Sequence, residues 1–286
     1  MGQEPPRLTD RRALAARRAR AARLAAPARF LHDTARTEID ERLAEVNRAF
    51  TAPAVVSGDP GAWRQWRGAL VVPDEPLLAL EPEAHDLVVH AMALHWADDP
   101  VGQLVQCRRA LRPDGLMIAV LPGGETLTEL RSCLAEAELA VRGGLSPRVA
   151  PMGEIRDLGA LLQRAGFALP VADSLRLSVS YASPRALLHD LRAMGETNVL
   201  SLRERRGLRR DVLERAEALY AARHPDPEDG TPGRVTATLE IVTLTGWAPH
   251  ASQPRPLRPG SAAARLADAL GTEERPAGDT AGPSGD

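Results

Sequence analysis

The sequence predicts an α/β protein built on a doubly wound, mostly parallel sheet with an antiparallel C-terminal edge. Three observations predict it. Residues 86–124 read as strand, helix and returning strand, the pattern of one right-handed βαβ unit. A short β-branched run, AVV, leads into a glycine-bearing turn, SGDPG, at 57–61. Two late segments, 169–181 and 235–247, alternate apolar and polar residues as half-buried antiparallel strands do.

Each element has its own signal. Residues 8–26 form an Ala/Arg segment of high helix propensity, ended by Pro27. An Arg-rich, acid-poor start is also the composition of a mitochondrial targeting segment; the plainer reading is a solvated helix with Arg on its outer face. Residues 34–50 read as a second helix, with Ile39, Leu43, Val46 and Phe50 on one stripe and Asp33 as N-cap. The first strand and its glycine turn follow at 53–61. A short strand, ALVV, is expected at 69–72, and a short helix at 77–80.

In the central unit, DLVVHA is a strand buried on both faces. Asp98 or Asp99 caps the next helix and Pro100 starts it. Arg108, Arg109 and Arg112 suit its carbonyl end, and Pro113-Asp114-Gly115 stops it. LMIAVL is the returning strand. Helices are expected at 125–141, at 154–167 with Gly166 as C-cap, at 184–195 and at 201–222. Residues 224–233 read as a loop or hairpin connection. From Pro249 the chain is rich in Pro, Ser and Gly, with one helical piece at 262–270 and disorder expected after about residue 271. The organisation is therefore a basic helix and linker at 1–33, a main domain at 34–248 and a tail at 249–286.

Composition narrows function. The chain has 286 residues, enough to bury a full α/β core. Formal net charge is −2 and aromatic residues are 3%, which argues against a nucleic-acid partner. Every basic residue is Arg. Cys107 and Cys133 lack metal-site spacing, and Cys107 falls on an apolar helix face. No run is apolar enough to span a membrane, MGQEPP lacks the apolar centre of a secretion signal, and a bacterial cytoplasmic setting is expected.

The wording of several segments carries a resemblance. ALHW, RALRPDG and the following GG resemble the fourth-to-fifth strand segment of class I S-adenosylmethionine-dependent methyltransferases. GGETLTELR, GGLSPRVAPM, LLQRAGF, DLRAMGETN and EIVTLTGWAPH are similar to one subgroup: bacterial relatives of the mitochondrial complex I assembly factor of arginine-hydroxylase type. The resemblance covers about residues 8–270. It implies a seven-stranded Rossmann-like methyltransferase fold, S-adenosylmethionine as cofactor, and a protein substrate, possibly a subunit of the complex I peripheral arm. For the mitochondrial member it implies arginine hydroxylation, and for many bacterial ones methyl transfer.

The first half departs from that pattern. Val56 stands where the family ends its first strand in an acid, and Pro60 interrupts the glycine turn. Three crossovers and two strands need roughly 40 residues, against about 29 in 57–85. One strand-helix unit is therefore missing, and the second strand is expected to be the one lost. By resemblance, Gly58, Asp59 and Gly61 line the cofactor's methionine side, and Asp74 meets the adenine edge. Ala91, Met92 and Leu94 floor the cleft. His95 is the candidate proton acceptor from an attacking nitrogen. Trp96, Arg148, Glu196 and Asn198 are candidate substrate contacts, and no residue set suggests a metal. Two function classes follow: an S-adenosylmethionine-dependent transferase acting on a protein, and a non-catalytic assembly chaperone that has lost its cofactor.

Overall fold

The first apolar run forms β1 (Pro53–Ser57), with every residue buried. A short helix, α3 (Pro60–Trp63), follows, capped by Asp59 accepting from the Gly61 amide. The chain then returns as β2 (Leu70–Val72), parallel to β1. It crosses to the other side of β1 as β3 (His85–Ala91), again parallel and wholly buried. Asp99 caps α4 (Pro100–Ala110) by accepting from the Gly102 amide, and β4 (Leu111–Pro122) pairs parallel to β3. β6 (Val235–Trp247) runs antiparallel between β4 and β5 (Ala168–Tyr181). The sheet order is β2-β1-β3-β4-β6-β5. These statements come from a computed structural model that describes residues 7–226, 231, 233–254 and 271–272.

The expected α/β class is present: a doubly wound sheet, mostly parallel, with an antiparallel edge. Six strands form it among the described residues, where the resemblance implied seven. β2 pairs directly with β1, so the strand in second place is present. The expectation that this strand was the lost one is corrected: the shortening removes what would lie beyond it. β6 also differs from expectation. It sits inside the sheet, so most of its residues are buried, whereas β5 at the edge alternates half-buried and exposed residues.

Side-chain layers cover both faces. Leu104 and Cys107 of α4, with Leu158 and Leu162 of α6 (Ile155–Arg164), pack on Val56, Val88, Met117 and Ala119. Ile39 and Leu43 of α2 (Phe30–Glu45), with Trp63 and Trp66, cover Val55, Leu87, Val89 and Ile118. A third cluster joins α5 (Thr128–Arg142), α7 (Pro184–Met194) and α8 (Arg210–Arg223) to the far half of β6. Leu14 of α1 (Arg11–Ala21) packs on Trp96 and Val199.

Two helix starts move from expectation, and one expected helix does not form. α2 begins at Phe30, and Asp33 lies in its first turn rather than at the cap. α8 begins at Arg210, not 201. Residues 199–201 hydrogen-bond to the leader instead, with Thr9 and Leu200 as a bridge pair. No helix forms at 77–80; Leu78 is pinned there by its amide donating to Gln106 Oε1 at 2.8 Å. Gly166, in the left-handed region at φ +81°, ends the segment after α6 as expected.

The chain divides into compact units at Met1–His250 and Ala251–Asp286. All the structure above belongs to the first. The helix expected at 262–270, and nearly all of the tail, lie outside the described residues. Among the described residues no helix is long and apolar enough to cross a membrane.

Candidate active site

The chain leaves β1 to one side for β2 and returns to the other side as β3. That reversal is a topological switch point, and ligands of doubly wound sheets sit at the carboxyl ends of such strands. Here those ends present Gly58 and Asp59 after β1, Asp74 after β2, and Met92 after β3. Met92 holds a left-handed backbone at φ 50°, an uncommon conformation for a residue with a side chain. It turns the chain into a single 3₁₀ turn, Leu94–Trp96.

A cavity of about 200 Å³ lies over this edge, lined by Gly58, Asp59, Pro60, His32, Met92 and Arg18, among others. A second cavity of about 620 Å³ adjoins it and shares His32, Met92 and Glu196. His95, Trp96, Arg148, Glu196 and Asn198 all line the larger one. The structure thus gathers the expected acceptor-side residues around one space. Ala91 and Leu94 do not floor it: they are 0% and 2% exposed and pack in the core. Of the three residues expected there, Met92 alone lines a cavity.

The N-terminal arginines are the main correction. They do not form a solvated outer face. Arg18 donates to Asp74 Oδ1 at 2.7 Å. Arg11 donates to the carboxylate at 3.3 Å and to the Asp74 carbonyl at 2.6 Å. A methyl group at Gly58 would overlap the Arg18 guanidinium. Arg29 binds Asp59 with two bonds, at 2.6 and 3.0 Å, and covers Gly61. Each expected cofactor contact at this end therefore already has an arginine on it. The signal was the seven-residue spacing of Arg11 and Arg18, which puts both on one helix face.

His95 and Trp96 converge on Glu196. Trp96 Nε1 donates to Oε2 at 2.7 Å, and His95 Nε2 lies 3.1 Å from the same oxygen. Burial pushes the Glu196 carboxyl up, but His95, Arg18 and the Trp96 N–H outweigh it and hold it below its ordinary value. An ionised carboxylate only accepts, so His95 Nε2 carries the proton. Its Nδ1 is buried without a partner. On the far side, Arg148 is tied to Glu138 and Glu204. The Asn198 side-chain amide donates to the Pro147 carbonyl at 2.7 Å, while its oxygen accepts from the Leu200 amide. Both residues line the cavity while serving the fold.

A glycine turn after the first strand, an acid after its neighbour, and a cleft at the strand reversal define a Rossmann-like nucleotide-cofactor fold of the methyltransferase type. Comparison with known proteins makes this specific. A methyltransferase-domain family profile matches residues 20–119. The arginine-hydroxylase NDUFAF5, mitochondrial, of Danio rerio is 39% identical over 69% of this chain and 60% of its own length. The Homo sapiens counterpart is 40% identical over 67% and 54%. A malonyl-[acyl-carrier protein] O-methyltransferase of Halorhodospira halophila is 34% identical over 72% of this chain and 67% of its own length. The chain belongs to the class I S-adenosylmethionine-dependent methyltransferase superfamily. It spans between 45% and 60% of the length of the arginine-hydroxylase relatives it matches.

S-adenosylmethionine is the cofactor of this superfamily, and the residues present fit it. Gly58 brings a side-chain-free stretch of backbone to the cleft beneath the Arg18 guanidinium, and Asp74, 7% exposed, supplies a carboxylate that Arg11 and Arg18 now hold. The 200 Å³ left beside Arg18 falls below the roughly 300–1,000 Å³ usual for small-molecule sites. The Arg18 guanidinium, lying over Gly58 and bonded to Asp74, takes up part of that space. Cys107, buried in the core, is pushed up to about 12 by burial and takes no part.

Proposed function

We propose that the chain is an S-adenosylmethionine-dependent transferase acting on a protein substrate in the assembly of respiratory complex I. The observation that carries this reading is the pair of adjoining cavities meeting at Met92, with His95 Nδ1 unpartnered beside them. Gly58, Asp59, Gly61 and Asp74 would hold the cofactor. Because β2 pairs with β1, Asp74 stands at the end of the second strand, the place from which an acid holds ribose hydroxyls. When bound, S-adenosylmethionine supplies an electrophilic methyl group.

The larger cavity orients the acceptor and excludes water. Glu196 fixes the His95 ring and its tautomer through Nε2. His95 then offers Nδ1 to take the proton from an acceptor nitrogen or oxygen. Similarity to an arginine-hydroxylase and to an O-methyltransferase leaves two reactions in view. The described residues include no cluster of His, Cys, Asp and Glu able to hold a metal ion.

The arginines on Asp74, Asp59 and Gly58 favour a second reading, an assembly chaperone closed to cofactor. Calorimetric titration of the full chain with S-adenosylhomocysteine separates the two. Saturable heat, lost in Gly58→Arg, is expected for the enzyme; no heat leaves the chaperone. Mass spectrometry of the complex I peripheral arm from cells lacking the gene then reports whether a methyl group or an oxygen atom goes missing.

A further inference from the structure

One wall of the larger cavity gathers positive charge without an acid to balance it. Arg17 and Arg20 come from α1, and Arg192 from the last turn of α7. Among the described residues, no ion pair reaches any of the three. Arg17 Nε and Arg20 Nη2 are closed off from solvent with no hydrogen-bond partner, and so is Thr197 Oγ1 on the same cavity. Burial, then the Arg192 and Arg17 charges, push the Arg20 guanidinium below its ordinary value. Buried donors are nearly always satisfied in folded proteins, so three unmet ones around one cavity point to something that completes them.

The acids nearby are already engaged. Glu196 serves His95 and Trp96, and Glu204 serves Arg142 and Arg148. Arg203 is paired with Asp10. Two more cavity-lining arginines, Arg205 and Arg206, are exposed and without an ion pair among the described residues. Other parts of the lining are apolar, with Leu130, Leu134, Leu188 and Leu239.

We propose that this cavity binds an acidic peptide, one carboxylate meeting Arg17, Arg20 and Thr197 and an apolar neighbour resting on the leucines. A single-headed small anion would satisfy the interior donors and leave Arg205 and Arg206 idle. An extended chain with a second acidic residue reaches them as well. The inference rests on the protein-substrate reading above and states the chemistry of that substrate. His95 Nδ1 is left free for the acceptor atom.

The test is calorimetry on the full chain with the blocked peptide Leu-Glu-Leu-Glu-Leu, its Gln-for-Glu and Lys-for-Glu counterparts, and decanoate. The acidic peptide should bind about tenfold or more tighter than the Gln peptide, and more weakly as salt rises. The Arg20→Gln/Arg192→Gln double variant should lose about tenfold of that affinity. Circular dichroism and the thermal melt of the same variant report whether it is folded; the single Arg192→Gln variant, altered at an exposed residue, is the fallback. Equal binding of acidic and Gln peptides, or no loss in the variants, overturns the proposal. Decanoate binding without peptide binding overturns it too. Peptide selectivity without cofactor heat removes the transferase reading alone, whereas cofactor heat without peptide selectivity removes this inference alone.

Discussion

At the scale of single residues, the cleft turns on two side chains whose roles were not evident together. Glu196 accepts from both His95 and Trp96 through one oxygen. Trp96 is 3% exposed, so truncating its acceptor leaves a buried N–H unmatched. Glu196→Ala should cost about 1–3 kcal/mol in urea unfolding, and a near-neutral change would show that water replaces the carboxylate. Arg18 acts in the opposite sense. On the proposed cofactor reading, its bond to Asp74 competes with the ribose hydroxyls for that carboxylate. Arg18→Ala removes the competitor, so S-adenosylhomocysteine should bind more tightly, on the order of fivefold. Weaker binding in calorimetry would instead place Arg18 among the groups that hold the ligand.

At the scale of elements, legibility followed how local the cause was. β3 and the start of α4 were readable because strand composition and an Asp-Pro start lie within the segment itself, but α4 ends at Ala110, ahead of the Pro-Asp-Gly expected to stop it, and that turn lies inside β4 at a shift of register. The start of α8 was not: residues 199–201 are drawn into hydrogen bonds with the leader, nearly two hundred positions away. The helix expected at 77–80 failed for a similar reason, since Gln106 holds Leu78 from another element. The gathering of His95, Trp96 and Glu196 was partly legible as a set of candidates, but their shared oxygen is a tertiary fact. The Trp-rich piece between β1 and β2 packs the short connection against the sheet. Trp63 is fully buried, its Nε1 donating to His32 Nδ1 at 3.1 Å, and Trp66 meets it edge-on. These rings fill the layer between α2 and the sheet. Trp63→Ala should therefore destabilise by about 3–5 kcal/mol, read by chemical denaturation, and would also free His32 at the mouth of the cleft.

At the scale of the whole molecule, buried titrating groups set how stability answers to acid. His90 is fully buried and is lowered to about 4, chiefly by burial, against a hydrogen bond with Gln103 that raises it. Its ordinary value is 6.5. Above that pH neither folded nor unfolded chain holds the proton, and the stabilising difference is complete. As pH falls from 6.5 toward 4 the unfolded chain takes the proton first, and stability drains, by on the order of 3 kcal/mol at most. His32, lowered by burial, shifts in the same sense. Glu138 supplies a second stage. Burial pushes it up, but Arg148 and Ser146 outweigh this and bring it to about 2 from 4.5, so its contribution is present above 4.5 and lost toward 2. Melting temperature should be flat above about pH 6.5 and then fall in two successive steps. His90→Asn should lower the plateau, by leaving space in the core, yet flatten the upper step while the lower one persists. Glu138→Gln should leave the upper step and take away only part of the lower one, because Asp86, Glu196 and Glu204 are also held below their ordinary values. The two variants together test whether the upper step belongs to His90 and what share of the lower one belongs to Glu138. An upper step of unchanged slope in His90→Asn would move its origin to His32, the remaining buried histidine whose shift has that sign.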